Sequence, residues 1–387
     1  MLHEREPVAT PEINESRLIS LFLQLVSINS PSRSEAEVVR WTKQYLLDAG
    51  LEVAEDASSE ATGSNANNLI AWLRGSVGHA PKVFLSAHFD TVEPTPNIEV
   101  EERDGIFYTN SDTVLGADDK GGMASAIEAV LAVKESGAPH GDICLLLSTC
   151  EEIGLLGAAA LKIEELGLDF GYVLDTGPPI GSFVNNTATH DKINFKVVGT
   201  PSHAGNAPEK GVNAIVVAAK AIAAMKSGRI DFETTANVGI VEGGQAVNVV
   251  CPQVTIQCEA RSGSVEKLDA QVNHMIACFE EAAREMGAMV EVDHKRHYHS
   301  YFIDPSQPVV KFALAGAKAL GYDPSLRQAL GGSDANVYNE KGVPCIVMAT
   351  GMQKIHTHDE FIARMDMVSN ARLTARILLD IGAGNSE

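Results

Sequence analysis

The stretch Leu115-Gly116-Ala117-Asp118-Asp119-Lys120-Gly121-Gly122 decides how the rest of the chain is read. An apolar run stops there, two carboxylates stand side by side, and Met123, Ile127, Val130 and Leu131 follow at helical spacing. That spacing predicts a helix of about four turns with one buried face, leaving from the aspartates. Negative charge suits a helix N-terminus, and glycines there allow close approach. Alone, the Asp-Asp pair is explained by capping. Its reading as a metal hub depends on what the remaining chain brings to it.

With 387 residues and 45% hydrophobic content, the chain can bury a sizeable core, and its length predicts about two or three domains. Asp and Glu number 51 against 30 Lys and Arg, a formal charge of −21 spread along the sequence. Such a surface repels phosphate backbones and anionic bilayers, so neither a nucleic-acid nor a membrane partner is expected. The six cysteines show no C-x-x-C spacing and lie mostly in apolar runs, as free thiols in a reducing compartment do. Residues 1–11 carry no apolar signal region, and no run of about 18 apolar residues occurs. A cytoplasmic location is the expectation.

Helices are expected over 16–28 and from Ser34 to Gly50, the second with Ser34 as cap and Glu37 as its capping-box partner. Strands follow at 51–53, 68–73 and 82–86, a hairpin strand at 105–110, and buried strands at 142–148 and 171–174, with a helix over 156–166. The buried strands run into polar residues: Ala87-His88-Phe89-Asp90-Thr91, Cys150-Glu151-Glu152-Ile153-Gly154 and Asp175. This is the α/β layout in which parallel strands carry ligands at their C-terminal ends.

The pattern changes near Ala188. Strands at 191–199, 236–241, 253–260 and 289–293 alternate with a helix over 208–225, Pro208 in its first turn, and one from Ser264 carrying Val265, Leu268, Val272, Met275 and Phe279 on one face. His294, His297 and His299 read as a solvated connection. An α+β domain over 188–299 is therefore expected inside an α/β domain of 1–187 and 300–387. The latter resumes with a helix over 308–320, a strand over 343–348 and a helix over 367–381.

Each polar residue at a strand end has a structural explanation of its own, but carboxylates gathered at one sheet edge repel unless cations neutralise them. Nitrogen and carboxylate donors suit Zn²⁺, with Mn²⁺ or Co²⁺ as alternatives. One carboxylate can bridge two ions about 3.5–4 Å apart. Adjacent Glu151 and Glu152 diverge in an extended backbone, so one can bind metal while the other faces a water. Asp90 can accept the second N–H of His88. The chain has no G-x-G-x-x-G phosphate loop and no G-x-S-x-G elbow, so neither nucleotide binding nor a serine nucleophile is indicated.

The ordered set Ser86-Ala87-His88-Phe89-Asp90-Thr91, Gly116-Ala117-Asp118-Asp119-Lys120, Glu151-Glu152-Ile153-Gly154, Leu174-Asp175 and Ile355-His356-Thr357-His358-Asp359-Glu360 resembles the di-zinc peptidase family of peptidase T, glutamate carboxypeptidase and aminoacylase. The resemblance covers nearly the whole chain and is nearest to the peptidase T branch. It implies two Zn²⁺ ions per subunit, Asp118 bridging them, His88 and Asp175 on one, and Glu152 and His356 on the other. Glu151 becomes the general base, Asp90 the carboxylate behind His88, and His358 a neighbour. The resemblance also makes the inserted domain a lid and dimerisation domain, with His203 of Gly199-Thr200-Pro201-Ser202-His203-Ala204-Gly205 stabilising the oxyanion. By the same route Asn248, Arg261, Gly332 and Ser333 look like substrate contacts.

The expected activity is therefore hydrolysis of short peptides by a metal-bound hydroxide, as a tripeptide aminopeptidase, in a homodimer. A glutamate carboxypeptidase-like enzyme or an N-acyl amino acid deacylase uses the same residues. A catalytically silent binding or assembly protein is the rival of another class.

Overall fold

In the computed structural model, which describes residues 9–384, the hub leads into the helix Ala117–Ser136, and that helix is buried on every side from Ala117 to Val133. A single buried face was expected. The helix lies against the strand Val83–His88 and is also covered by the helices Glu15–Ser27 and Arg364–Ala383. An all-round apolar helix belongs in such an enclosed place. Its aspartates are not caps: Gly116 is the N-cap, in a left-handed conformation, and Asp118 and Asp119 have non-helical backbone angles ahead of the regular turns.

Two compact units emerge. The first comprises 9–185, 302–328 and 333–384 of the described residues, and the second Asn186–Tyr301 with Ala329–Gly332. The first is an α/β unit built on an eight-stranded sheet. Its order is Glu52–Glu55, Leu69–Leu73, Ile143–Ser148, Val83–His88, Phe170–Val173, Cys345–Met348, Ser182–Asn186 and Ser325–Gln328. The four central strands run parallel, and antiparallel strands flank them.

Every residue of Val83–His88 is buried, which requires cover on both sheet faces. Phe84 meets Tyr338 of the helix Asp334–Glu340 edge-on at 5.3 Å, while Leu85 joins the main core with Ile127 and Leu378. Successive strand residues point to opposite faces, so helices cover both. A small antiparallel sheet, Val100–Arg103, Ile106–Thr109 and Phe361–Ala363, ties the hairpin to the segment just after His356.

The expected Ser34–Glu37 capping box does not form. Glu35 is the N-cap of the helix Ala36–Asp48 and makes no capping bond with its side chain, which turns into the core. The expected helix over 156–166 is broken into Leu156–Ala160 and a 3₁₀ turn, Ile163–Glu165.

In the second unit five strands, Gly228–Arg229, Thr234–Gly243, Gln253–Ser262, Thr189–Val198 and Met289–Tyr298, form a fully antiparallel sheet in that order. Helices Ala214–Ala224 and Val265–Met286 contribute Val217, Ala221, Val272, Met275 and Phe279 to its core. Phe279 stacks on Phe195 at 3.9 Å, and burying such a ring contributes about 1.5–3 kcal/mol. Ser264 caps the second helix by accepting from Lys267 N.

Two expectations change here. Pro208 opens only a short 3₁₀ turn, Pro208–Lys210, and the helix proper starts after Asn213, whose side chain accepts from Ile215 N. His294 and His297 are not in a connection but within Met289–Tyr298, paired with Thr189–Val198. Charged residues suit that strand because it is the sheet edge.

Candidate metal centre

Parallel pairing sets the C-terminal ends of three strands side by side, with His88 opposite Ser148 and Ser86 opposite Val173. His88 therefore ends its strand at the point where the neighbouring strands release Glu151, Glu152 and Asp175. Gly122 brings the aspartates in. A β-carbon on it would fall 2.0 Å from Leu174 O and 2.2 Å from Asp119 Oδ1, so no other residue lets the helix start press against Asp175's strand.

The result is two overlapping triads. His88, Asp118 and Glu152 present donor atoms within 4.8 Å of one another, and so do His88, Asp119 and Asp175. His88 Nε2 is 3.3 Å from Asp118 Oδ1. On the other side of Asp118, His356 Nε2 stands 3.2 Å from Oδ2 and 3.1 Å from Glu152 Oε2. His358 stands apart, its ring nitrogens each 2.9 Å from Glu93 Oε1 and Asp112 Oδ1.

The groups behind the triads are well anchored. His88 Nδ1 is 3.0 Å from the carbonyl of Asp90 and 3.5 Å from its carboxylate, so the nearer partner is the main chain. The Asp90 carboxylate instead accepts from Glu151 N at 3.0 Å, Glu152 N at 3.1 Å and Ser32 Oγ at 2.6 Å. Glu360 accepts from Gly116 N at 2.7 Å and Asp118 N at 2.8 Å, which orients the bridge candidate.

Burial and crowding act strongly on the carboxylates of the site. Burial, with Asp175 nearby, pushes Asp119 well above the usual carboxylate range. Burial does the same to Glu151 and Asp175, and raises Glu152 despite its His356 partner. Burial also lifts Asp334, which accepts from Ser148 Oγ, to about 6. Asp118 moves down instead: burial raises it, but the imidazoles of His356 and His88 outweigh burial, and Asp90 is lowered too, by His88 against the effect of burial. In turn, Asp118 and then Glu152 lift His356 to about 10. Carboxylates this crowded and this dry need positive charge.

Asp119 Oδ1 is buried with no hydrogen-bond partner among the described residues, a state that costs free energy unless a cation or donor meets it. The donor set of imidazole and carboxylate fits divalent zinc-type ions. No donor among the described residues holds the Glu151 carboxylate, in contrast to that of Glu152.

The remaining residues read from the sequence lie mostly in the second unit. His203 Nδ1 accepts from Gly205 N and Asn206 N, each at 3.1 Å, so its neutral ring carries the proton on Nε2. Asn248 O accepts from Ala204 N beside it. Arg261 pairs with Glu259 at 3.0 Å and reaches Tyr298 Oη and Leu330 O at 3.3 Å. Gly332 packs under Tyr298. Ser333, in the first unit, caps the helix Asp334–Glu340 through Ala335 N. Sequence reasoning missed Ser32 and Glu35, the latter because its place before a helix suggested a capping role for its neighbours.

A model of Peptidase family M20/M25/M40 matches residues 84–380. The chain is 39% identical over 366 residues to uncharacterized protein YqjE of Bacillus subtilis, covering 95% of this chain and 98% of that one. The structure of aminopeptidase PepT from Bacillus cereus superposes with a TM-score of 0.86 at 41% identity, over 95% of this chain and 99% of the other. That of a tripeptidase from Staphylococcus aureus gives 0.91 at 37% identity, over 96% and 99%. A family match of this extent, with relatives this similar along almost the whole length, makes the chain a member of peptidase family M20/M25/M40.

Proposed function

We propose that this peptidase-family member is a two-zinc aminopeptidase acting on short peptides, of the tripeptidase kind. The observation that carries this reading is the unequal state of the two adjacent glutamates. Glu152, one of a triad with His88 and Asp118 that could hold a metal, is engaged by His356 at 3.1 Å, while the adjacent Glu151 carboxylate is held by no donor among the described residues. A base must be free to reach a water's proton, and a ligand must be held. The aminopeptidase and tripeptidase named among the similar structures support the substrate class.

His88 and Asp175 would hold one zinc, Glu152 and His356 the other, and Asp118 both. Bound there, the ions would polarise the scissile carbonyl and bring a water's pKa toward about 7. Glu151 takes the water's proton and returns it to the leaving amine. His203 offers Nε2–H to the developing oxyanion, since its Nδ1 is already an acceptor. Asn248 and Gly332 contribute to the peptide's seat. Arg261 is already neutralised by Glu259, which weighs against a carboxypeptidase reading in which it anchors a substrate carboxylate.

The second unit is also the dimerisation element in this proposal. The strand Thr234–Gly243, next to the two-residue edge strand Gly228–Arg229, is paired on its outer side only at Thr235 and Ala236 among the described residues. Val241 (54%), Val216 (50%) and Val247 (104%) expose apolar surface on this unit.

The test is product release from a tripeptide, its N-acetylated form and N-acetyl amino acids, using metal-stripped and zinc-restored protein. Zinc-dependent cleavage of the free tripeptide alone, at its first bond, supports the reading. Cleavage of the acetylated compounds instead moves the substrate class to deacylase or carboxypeptidase. Light scattering at assay concentration tests the dimer.

A further inference from the structure

The turn that carries the two glutamates is held by a second buried carboxylate that the chemistry above does not use. Cys150 has φ 56°, the left-handed region that side-chain-bearing residues disfavour. Its N–H donates to Glu35 Oε1 at 3.0 Å, and its Sγ lies 3.3 Å from the same oxygen. Glu35 is 0% exposed, and its Oε2 accepts from Ser64 Oγ at 2.6 Å. The next two N–H groups, of Glu151 and Glu152, end on Asp90. Three consecutive main-chain donors are thus received by two buried carboxylates from distant parts of the chain.

Burying a carboxylate to receive one N–H is costly when a neutral acceptor would serve. Two features make it tolerable here. Glu35 is the N-cap residue of the helix Ala36–Asp48, where the helix dipole favours negative charge. It also accepts from two further groups, the Ser64 hydroxyl and the Cys150 thiol. What the charge gains is a stronger hold on Cys150. Asp90 fixes the main chain of Glu151 and Glu152 from one side, but the direction in which the turn leaves the strand is set one residue earlier, at Cys150.

We propose that Glu35 is a positioning residue for the peptidase reaction: by holding Cys150 in its left-handed conformation it aims the Glu151 carboxylate. This rests on the reading of Glu151 as the base. Without Glu35 the turn relaxes toward ordinary backbone angles, and Glu151 moves while the residues of the opposite strand ends stay.

A four-membered cycle tests it, on the full-length protein at saturating zinc: parent, Glu35→Ala, Glu151→Gln and the double variant, with Glu35→Gln as the conservative replacement. Tripeptide kcat and KM are measured, and zinc affinity of the stripped proteins is read by titration calorimetry. Displacement of a reacting group by about 1 Å costs about 100-fold, so Glu35→Ala should lower kcat by about that factor with KM within about threefold. Zinc affinity should fall about tenfold, because Glu152 leaves the same turn. Glu35→Gln, which still accepts from Cys150 N, should recover most of the loss, and the double variant should be no slower than Glu151→Gln. A kcat loss that repeats in full on the Glu151→Gln background, with zinc affinity unchanged, overturns the proposal, as does a parental kcat in Glu35→Ala. If Glu35→Ala does not fold, the cycle is run with Glu35→Gln, whose smaller loss must likewise vanish on the Glu151→Gln background. Parental turnover in Glu151→Gln would instead overturn the base assignment itself.

Discussion

Asp90→Asn is the sharpest probe of how the glutamate turn is built. The carboxylate receives Glu151 N on Oδ1 and both Glu152 N and Ser32 Oγ on Oδ2. An asparagine has the same shape but one acceptor oxygen, so whichever way the amide turns, at least one main-chain N–H of the turn faces an NH₂ group. If the oxygen stays toward Glu152 and Ser32, the Glu151 N–H is orphaned. The lost charge-assisted bond is worth about 1.5–3 kcal/mol and the stranded buried donor about 1–3 kcal/mol, giving roughly 3–5 kcal/mol in all. At about 2 °C per kcal/mol for a unit of this size, the thermal midpoint should drop by about 6–10 °C. The displaced glutamates should lower kcat by about 100-fold and zinc affinity by about 10- to 100-fold. Differential scanning calorimetry, zinc titration and tripeptide turnover measure the three effects. A midpoint within about 2 °C of the parent, with kcat within about threefold, would show that the Asp90 carboxylate does not hold the turn.

Glu151→Gln should retain metal while losing about 10²–10⁴ in kcat, and Asp118→Ala should lose metal, both checked by metal analysis alongside turnover. His297 is held down to about 4, from 6.5, by burial and then by the charges of Lys192, His190, Lys295 and Arg261. Its unfolded form takes up a proton first as pH falls, so the second unit should lose stability between pH 6.5 and 4, by about 1 kcal/mol after allowance for solvent screening. His297→Gln should flatten that slope in thermal melts, and an unchanged slope refutes the assignment. Gly332→Ala places a β-carbon 2.3 Å from Tyr298 Cζ, so an overpacking cost of about 1–3 kcal/mol should appear as a lowered midpoint. Parental stability in that variant would mean the Tyr298 ring yields freely.

Much of this architecture is written locally. Apolar runs such as Ile143–Ser148 and Val83–His88 read as buried strands because both sheet faces are covered, and the carboxylates and histidine at their ends mark the ligand side. The ordered motifs around His88, Asp118, Glu151 and His356 pointed to the peptidase family, and the family match agrees. The helix Val265–Met286, with its Ser264 cap, follows from period and capping alone. These features depend on neighbours a few positions apart.

What escaped the sequence depends on partners far along it. The helix after Asp119 is enclosed rather than one-sided, because two other helices close over its outer face. Charged Met289–Tyr298 continues as a strand through His294 and His297 because Thr189–Val198 supplies the partner hydrogen bonds. Glu35 meets Cys150 across 115 positions, and His356 meets Glu152 across 204. Residue type and spacing determine which groups are available for metal and proton chemistry. Only the packing of strands and helices from distant segments decides which of them meet at 3 Å, since hydrogen bonds and charge interactions this specific vanish over a few ångströms.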